Sequence, residues 1–184
     1  FTLILVISTI CAKAQIINFP NANFKAKLLE ANYNNNIASS AQPFYDSTSN
    51  SWSTNSSNSI DTNNDGEIQI QEAEIITILN LSGSNITSLE GLNYFTNLIS
   101  LRSSFTGITN LDLSQNVNLK SLDCSNNQLA NLDLSSNAAN ESFFTSSNAS
   151  LAAVVFPTPG GPYNIICCGY GDESFDINDL IALS

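Results

Sequence analysis

Asp61, Asn63, Asp65, Glu67 and Glu72 fall within the stretch "DTNNDGEIQIQE", and their spacing poses the first chemical question. A twelve-residue EF-hand-type loop places oxygen ligands at its first, third and fifth positions and offers a backbone carbonyl at the seventh. A bidentate carboxylate closes it at the twelfth, with Gly at the sixth for the sharp turn. Asp61, Asn63, Asp65, Gly66 and Glu72 occupy the side-chain and turn positions; Glu67 would contribute its carbonyl, and Gln69 would act through a water. Ile68, at the eighth position, supplies the short apolar strand inside such a loop. Calcium is the expected ligand, held with the weak affinity of extracellular modules, roughly 10⁻⁴ to 10⁻³ M. The alternative is a polar turn in a chain rich in Asn and Asp. Ser and Asn fill the stretch before Asp61, where an entering helix would lie. The loop therefore reads as a structural clamp, because a sensor needs two helices whose angle can change.

Other chemistry has little to build on. The chain has no His, and no Ser or Cys has a recognisable partner to activate it. Asp112, Asp123 and Asp133 are the outward members of L-x-L units, so they read as solvated and not as an acid/base pair, and no enzyme is expected. With 16 acidic residues against 5 basic ones and a net charge of -11, there is no basic patch for phosphate backbones or anionic lipids, so nucleic acid is not an expected partner. Cys124 takes a place where a leucine would point inward and reads as a small core residue. Cys167 and Cys168 are adjacent and would strain to pair with each other, so no disulfide framework is expected.

The elements that must position the loop begin at the N-terminus. "FTLILVISTICAKAQ" reads as the apolar core of a signal peptide, followed by the small-x-small pattern Ala12-Lys13-Ala14, with the start of the gene product missing and the mature chain beginning near Gln15. A buried strand and a retained anchor are the other readings; the apolar run falls short of the ~20 residues a span needs. Export follows from the first, with no membrane insertion after cleavage.

Downstream, Leu98, Leu101, Ile108, Leu111 and Leu113 recur as Leu119, Leu122, Leu129, Leu132 and Leu134, a shift of about 21 residues each time. An earlier copy, one residue longer, runs through Ile76, Leu79, Leu81, Ile86 and Leu89. Within each copy the L-x-L units alternate apolar and polar residues. That period predicts strands with Leu79, Leu81, Leu101, Leu122 and Cys124 inward and Asn80, Arg102 and Asp123 toward water. The second "LDL" units, Leu111 to Leu113 and Leu132 to Leu134, predict a second face in each coil. Asn116, Asn127 and Asn137 fall at the turns after L-x-L units, where an amide can bond the backbone groups a bend leaves free.

"LKSLDCSNNQLANLDLSSN", with "INFPNANFKAKLLEA" and "IDTNNDGEIQIQEAEIITILNLSGSNITSLEGL", resembles secreted bacterial leucine-rich repeat proteins over Ile17 to about Ala38 and Ile60 to about Asn137. The resemblance implies an α/β-type solenoid, a short leucine-rich repeat array of parallel strands in about three coils with an N-terminal helical cap. It further implies a secreted or cell-surface protein that mediates protein-protein interaction or adhesion, its partner an unidentified protein or cell-surface ligand. The alternative is an accessory spacer or anchoring region of a larger secreted enzyme or surface assembly.

The expected organisation is a partial signal peptide over residues 1–14, a helical cap over 15–40 and a Ser/Asn-rich insertion over 41–59. The calcium loop follows at 60–73, the repeats at 74–139 and a divergent tail at 140–184. The insertion reads as a mobile loop, its Phe44, Tyr45 and Trp52 tying it down more readily than forming a ligand platform. In the tail, Phe143 and Asn148 keep the repeat register before Pro and Gly end it. That end reads as a terminal cap over the last coil, with a reading-frame error as the alternative. Asp172, Asp176 and Asp179 offer a degenerate dockerin-like loop that lacks its early ligands and its Gly.

Overall fold

The computed structural model describes residues 14–46, 51–54 and 56–137, together with the backbone of two short strands, Ala153–Val155 and Asn164–Ile166. The signal peptide through Lys13, the register at Phe143 and Asn148, and the Asp172, Asp176 and Asp179 pattern lie outside the described residues.

Helix α1 (Ala22–Leu29) starts where the side chain of Asn21 accepts a hydrogen bond from the Phe24 amide at 2.9 Å. Phe24 and Leu28, one turn apart, are both completely buried, which fixes the face the helix turns to the core. Phe19, just ahead of the helix, meets Phe24 edge to face with ring centroids 5.3 Å apart. Strand β1 (Ala38–Ser39) follows, then a hairpin of β2 (Phe44–Asp46) and β3 (Ser51–Ser53) in which Tyr45 lies opposite Trp52. The insertion read as a mobile loop therefore contains paired strands: its aromatic residues sit at strand positions, with Phe44 opposite Ser53 and Tyr45 opposite Trp52. Helix α2 (Ile70–Glu74) is short, with Glu72 and Gln69 forming a capping box at its start.

Strands β4 (Ile78–Asn80), β5 (Ser100–Arg102) and β6 (Ser121–Asp123) come from successive repeats and pair in parallel. Leu79 lies beside Leu101, which lies beside Leu122, so the copies stack in register. Two later strands on the C-terminal side, β8 (Ala153–Val155) and β9 (Asn164–Ile166), extend the pairing: β9 runs parallel to β6, and β8 parallel to β7 (Asn131–Asp133).

The main sheet has five strands in the order β1-β4-β5-β6-β9, and β1 pairs antiparallel with β4. The repeat strands are parallel as expected, but the sheet as a whole is small and mixed because of β1, and the α/β-type expectation is corrected: among the described residues the α-helices stand only ahead of β4. Turns and one 3₁₀ turn, Leu92–Tyr94, connect the repeat strands. The physical reason is length, since a copy of about 21 residues that must carry two extended segments and two bends has no room for a helix of three turns. Among the described residues the second face carries a strand at β7, whereas Leu111 to Leu113 forms no ladder.

Leu79, Leu81, Leu101, Leu122 and Cys124 are buried at 1% exposure or less, as the alternation predicts, while Asn80, Arg102 and Asp123 are half-buried on the outer side. Each fully buried leucine contributes about 1.5–3 kcal/mol over leaving it in water. Ser103 takes the place that Leu81 and Cys124 hold in the neighbouring copies and is fully buried, its amide donating to the Asp123 carbonyl at 2.7 Å. Cys124 is disulfide-bonded as well as buried, which corrects its reading as a plain core residue; its partner lies outside the described residues.

Buried asparagines stitch one copy to the next. Asn116 donates from Nδ2 to the carbonyls of Leu92 and Phe95, and Asn137 repeats the arrangement one copy later on those of Leu113 and Asn116. The amide side chains thus satisfy carbonyls that the corners leave free.

Candidate calcium loop and exposed repeat face

The loop at Asp61 to Glu72 folds around its own amides. Asp61 accepts from the Asp65 amide at 3.2 Å with one carboxylate oxygen and from the Gly66 amide at 3.0 Å with the other. Asn63 Oδ1 accepts from the Asp65 amide, and Asp65 Oδ1 from the Glu67 amide at 2.9 Å. The chain turns through left-handed backbone at Asn64 (φ 57°) and Gly66 (φ 78°), the conformation for which the sixth-position Gly is suited.

Gln69 bridges the loop, its Nε2 donating to Asp65 Oδ2 at 2.8 Å while its Oε1 accepts from Asn63 Nδ2. Glu72 is buried, and both its oxygens are engaged: Oε1 accepts from the Thr62 amide at 2.7 Å and the Thr62 hydroxyl at 2.8 Å, and Oε2 from the Gln69 amide at 3.0 Å. Glu67 turns its side chain outward to Lys25 on α1, Nζ to Oε2 2.7 Å, which leaves its carbonyl as its contribution to the loop.

Among the described residues no three Asp, Glu or Cys side chains converge into a group that could hold a metal. In kind and order the donors are those of a hard-cation loop, carboxylate and amide oxygens at the first, third, fifth and twelfth positions, each accepting from a backbone N–H group.

The loop is tied to the N-terminal arm, and the helical cap that follows the arm is tied to the first repeat. Ile16 and Gln69 form an antiparallel bridge, flanked by Ile17 N–H donating to the Ile68 carbonyl at 2.9 Å and Ile70 N–H donating to the Gln15 carbonyl at 3.0 Å. From the cap, Asn21 Nδ2 donates to the Thr87 hydroxyl, and Asn23 Nδ2 to the Asn85 carbonyl, joining α1 to the first repeat. Gly91 (φ 104°) packs against Phe19 so closely that a Cβ there would lie 2.7 Å from the ring.

The repeat face holds a residue that the sequence reading passed over. At one corner of successive copies, Gly83, Phe105 and Asn126 all adopt positive φ, at 70°, 54° and 55°. Gly and Asn suit that conformation; Phe does not, and Phe105 is 66% exposed. Aligning the repeats would have found it, because Phe105 stands in the column where its neighbours are Gly and Asn.

The second face offers open depressions, one lined by Asn110, Leu111, Asp112, Ser114, Asp133 and Ser136. The backbone N–H of Ser114, and then its hydroxyl, hold the Asp112 carboxyl below its ordinary range, against the opposing effects of burial and of Asp133. A group held ionised in this way is poorly suited to donate a proton near neutral pH.

No protein-family model matches the chain, and no curated protein does. Among solved structures, it is similar to the functional domain of InlJ from Listeria monocytogenes, which includes a cysteine ladder. The identity is 38%, over 39% of this chain and 16% of that one, with a TM-score of 0.38. It is also similar to a structure of CBM51-2, in complex with GlcNAc, and INT domains from Clostridium perfringens ZmpB. There the identity is 19%, over 65% of this chain and 20% of that one, with a TM-score of 0.42. The chain thus spans 16% to 20% of the length of these bacterial proteins. Among the described residues no helix is long and apolar enough to cross a membrane.

Proposed function

We propose that the chain is a secreted or cell-surface leucine-rich repeat module, a short solenoid that binds a protein partner without turnover and whose N-terminal junction is clamped by calcium. The observation that carries the reading is the register of β4, β5 and β6, in which Leu79, Leu101 and Leu122 stack in parallel from three successive copies. A stack of this kind buries one side of each L-x-L unit and leaves the other as a flat, repeated surface.

Recognition by such a surface draws on a few aromatic or Arg anchors. Phe105 fills that role, with Arg102 on the adjoining strand. Asp61, Asn63, Asp65 and Glu72, with the Glu67 carbonyl, would hold the calcium, whose chemistry here is to neutralise clustered carboxylates and stiffen the loop.

Binding of the labelled chain to intact cells, before and after protease shaving of their surface, tests the function. The expected result is calcium-supported binding that shaving removes and that Phe105→Asn weakens at least tenfold. Binding that survives shaving and is indifferent to Phe105 would point away from a protein partner and from this face.

A further inference from the structure

Of the four cysteines, Cys124 alone falls among the described residues, and it is both buried and disulfide-bonded. The ladder between β6 and β9 bears on which cysteine it meets. Leu122 lies beside Ile165 and Asp123 beside Ile166, so the next pair in that register is Cys124 and Cys167. Strand alternation places positions two apart on one face: Cys124 shares the inward face of Leu122, and position 167 falls on the face of Ile165. Position 168 falls on the opposite face. Adjacent strands run about 4.8 Å apart, inside the Cα separation of roughly 4.4–6.8 Å that a disulfide spans.

We infer that Cys124 is bonded to Cys167, and that this bond is a redox lock on the C-terminal end of the repeat stack, holding β9 against β6. A solenoid needs its last coil covered, and a strand of three residues offers few backbone bonds for that purpose. The bond closes a loop of about 40 residues that includes β7 and β8, so it removes from the unfolded chain much of the freedom that would carry β9 away. Forming it takes two electrons and two protons from the pair of thiols. The acceptor is another disulfide: one thiolate attacks it to give a mixed disulfide, the second thiolate displaces that link, and the acceptor leaves as two thiols. An oxidising compartment sets the lock, and reduction releases it.

The test uses the full chain, purified without reductant and with its free thiols blocked in acid before proteolysis. Mass spectrometry of the unreduced peptides, with fragmentation to separate Cys167 from Cys168, is expected to show a cross-link from Cys124 to Cys167. Thermal melts then read the lock: reductant is expected to lower the midpoint of the parent by roughly 5–15 °C. Cys167→Ser is expected to melt with the reduced parent and to ignore reductant, while Cys168→Ser melts and responds as the parent does. Mapping needs no variant, so the pairing is decided even where Cys167→Ser folds poorly. A cross-link from Cys124 to Cys168, to Cys11 or to a second chain, or an unlinked Cys124, overturns the pairing. A bond between Cys124 and Cys167 whose reduction leaves the midpoint unmoved overturns the lock.

Discussion

Asn127 reaches back across one repeat to Thr106, its Oδ1 accepting from the Thr106 amide at 3.1 Å and the Thr106 hydroxyl at 2.8 Å. The same oxygen accepts from the amides of Gly107 and Ile108, and Nδ2 donates to the carbonyls of Ser103, Cys124 and Ser125. Asn127→Ala would leave several of these buried groups unpaired, at about 1–3 kcal/mol each before relaxation, and is expected to cost about 3–4 kcal/mol. Asn118→Ala, which removes one exposed bond to the Thr96 carbonyl, is expected to stay within about 0.5 kcal/mol. Urea unfolding of the two variants compares them directly; equal costs would mean that Asn127 does not join the copies.

Two glycines separate backbone strain from steric clash. At Gly66 (φ 78°) an added Cβ meets nothing within 4 Å, whereas at Gly91 (φ 104°) it meets Phe19. Gly66→Ala is therefore expected to cost only the conformational penalty, about 1–2 kcal/mol, and Gly91→Ala distinctly more, as the arm is forced off the first repeat. Thermal melts of both rank them, and a Gly91→Ala as mild as Gly66→Ala would mean the arm does not pack there.

Substitution of Phe105 is expected to move stability and binding in opposite directions. Asn at this corner suits the left-handed backbone, as Asn126 does one copy later. Phe105→Asn is expected to raise stability by up to about 1 kcal/mol while weakening partner binding. A variant that loses stability and keeps its binding would show that the ring serves the fold.

The Asp112 carboxylate gives a pH signature. Its folded-state pKa lies below its ordinary 3.8, so the stability it contributes is present above the unfolded value and is lost as pH falls through the folded one. Ser114→Ala removes the hydroxyl and keeps the stronger amide contact, so NMR titration of the Asp112 carboxyl should show a partial return toward 3.8. An unmoved titration would mean that the hydroxyl is not a partner.

Much of the repeat core was legible because alternation and recurrence report burial directly: Leu79, Leu101 and Leu122 stand in the register their spacing implied. The asparagine corners were legible for a related reason, since an amide after an L-x-L unit has few partners other than bent backbone. The antiparallel β1 was not, because Ala38 and Ser39 pair through backbone atoms and carry no strand signature. The disulfide state of Cys124 was hidden for another reason, since it depends on a second cysteine brought close by the fold. Phe105 went unread because its significance lies in a backbone angle, visible only when the copies are laid over one another.

Calcium binding by "DTNNDGEIQIQE" is expected to stiffen the junction between cap and repeats. Thermal melts of the chain in calcium and in excess chelator, beside an Asp61→Ala and Glu72→Ala double variant, test it. At about ten times the dissociation constant, linkage gives about 1.4 kcal/mol, or a midpoint rise of roughly 3–6 °C for a chain of this size. That rise is expected in the parent and its loss in the double variant. Melts that coincide in calcium and chelator would contradict it and leave the loop a polar turn.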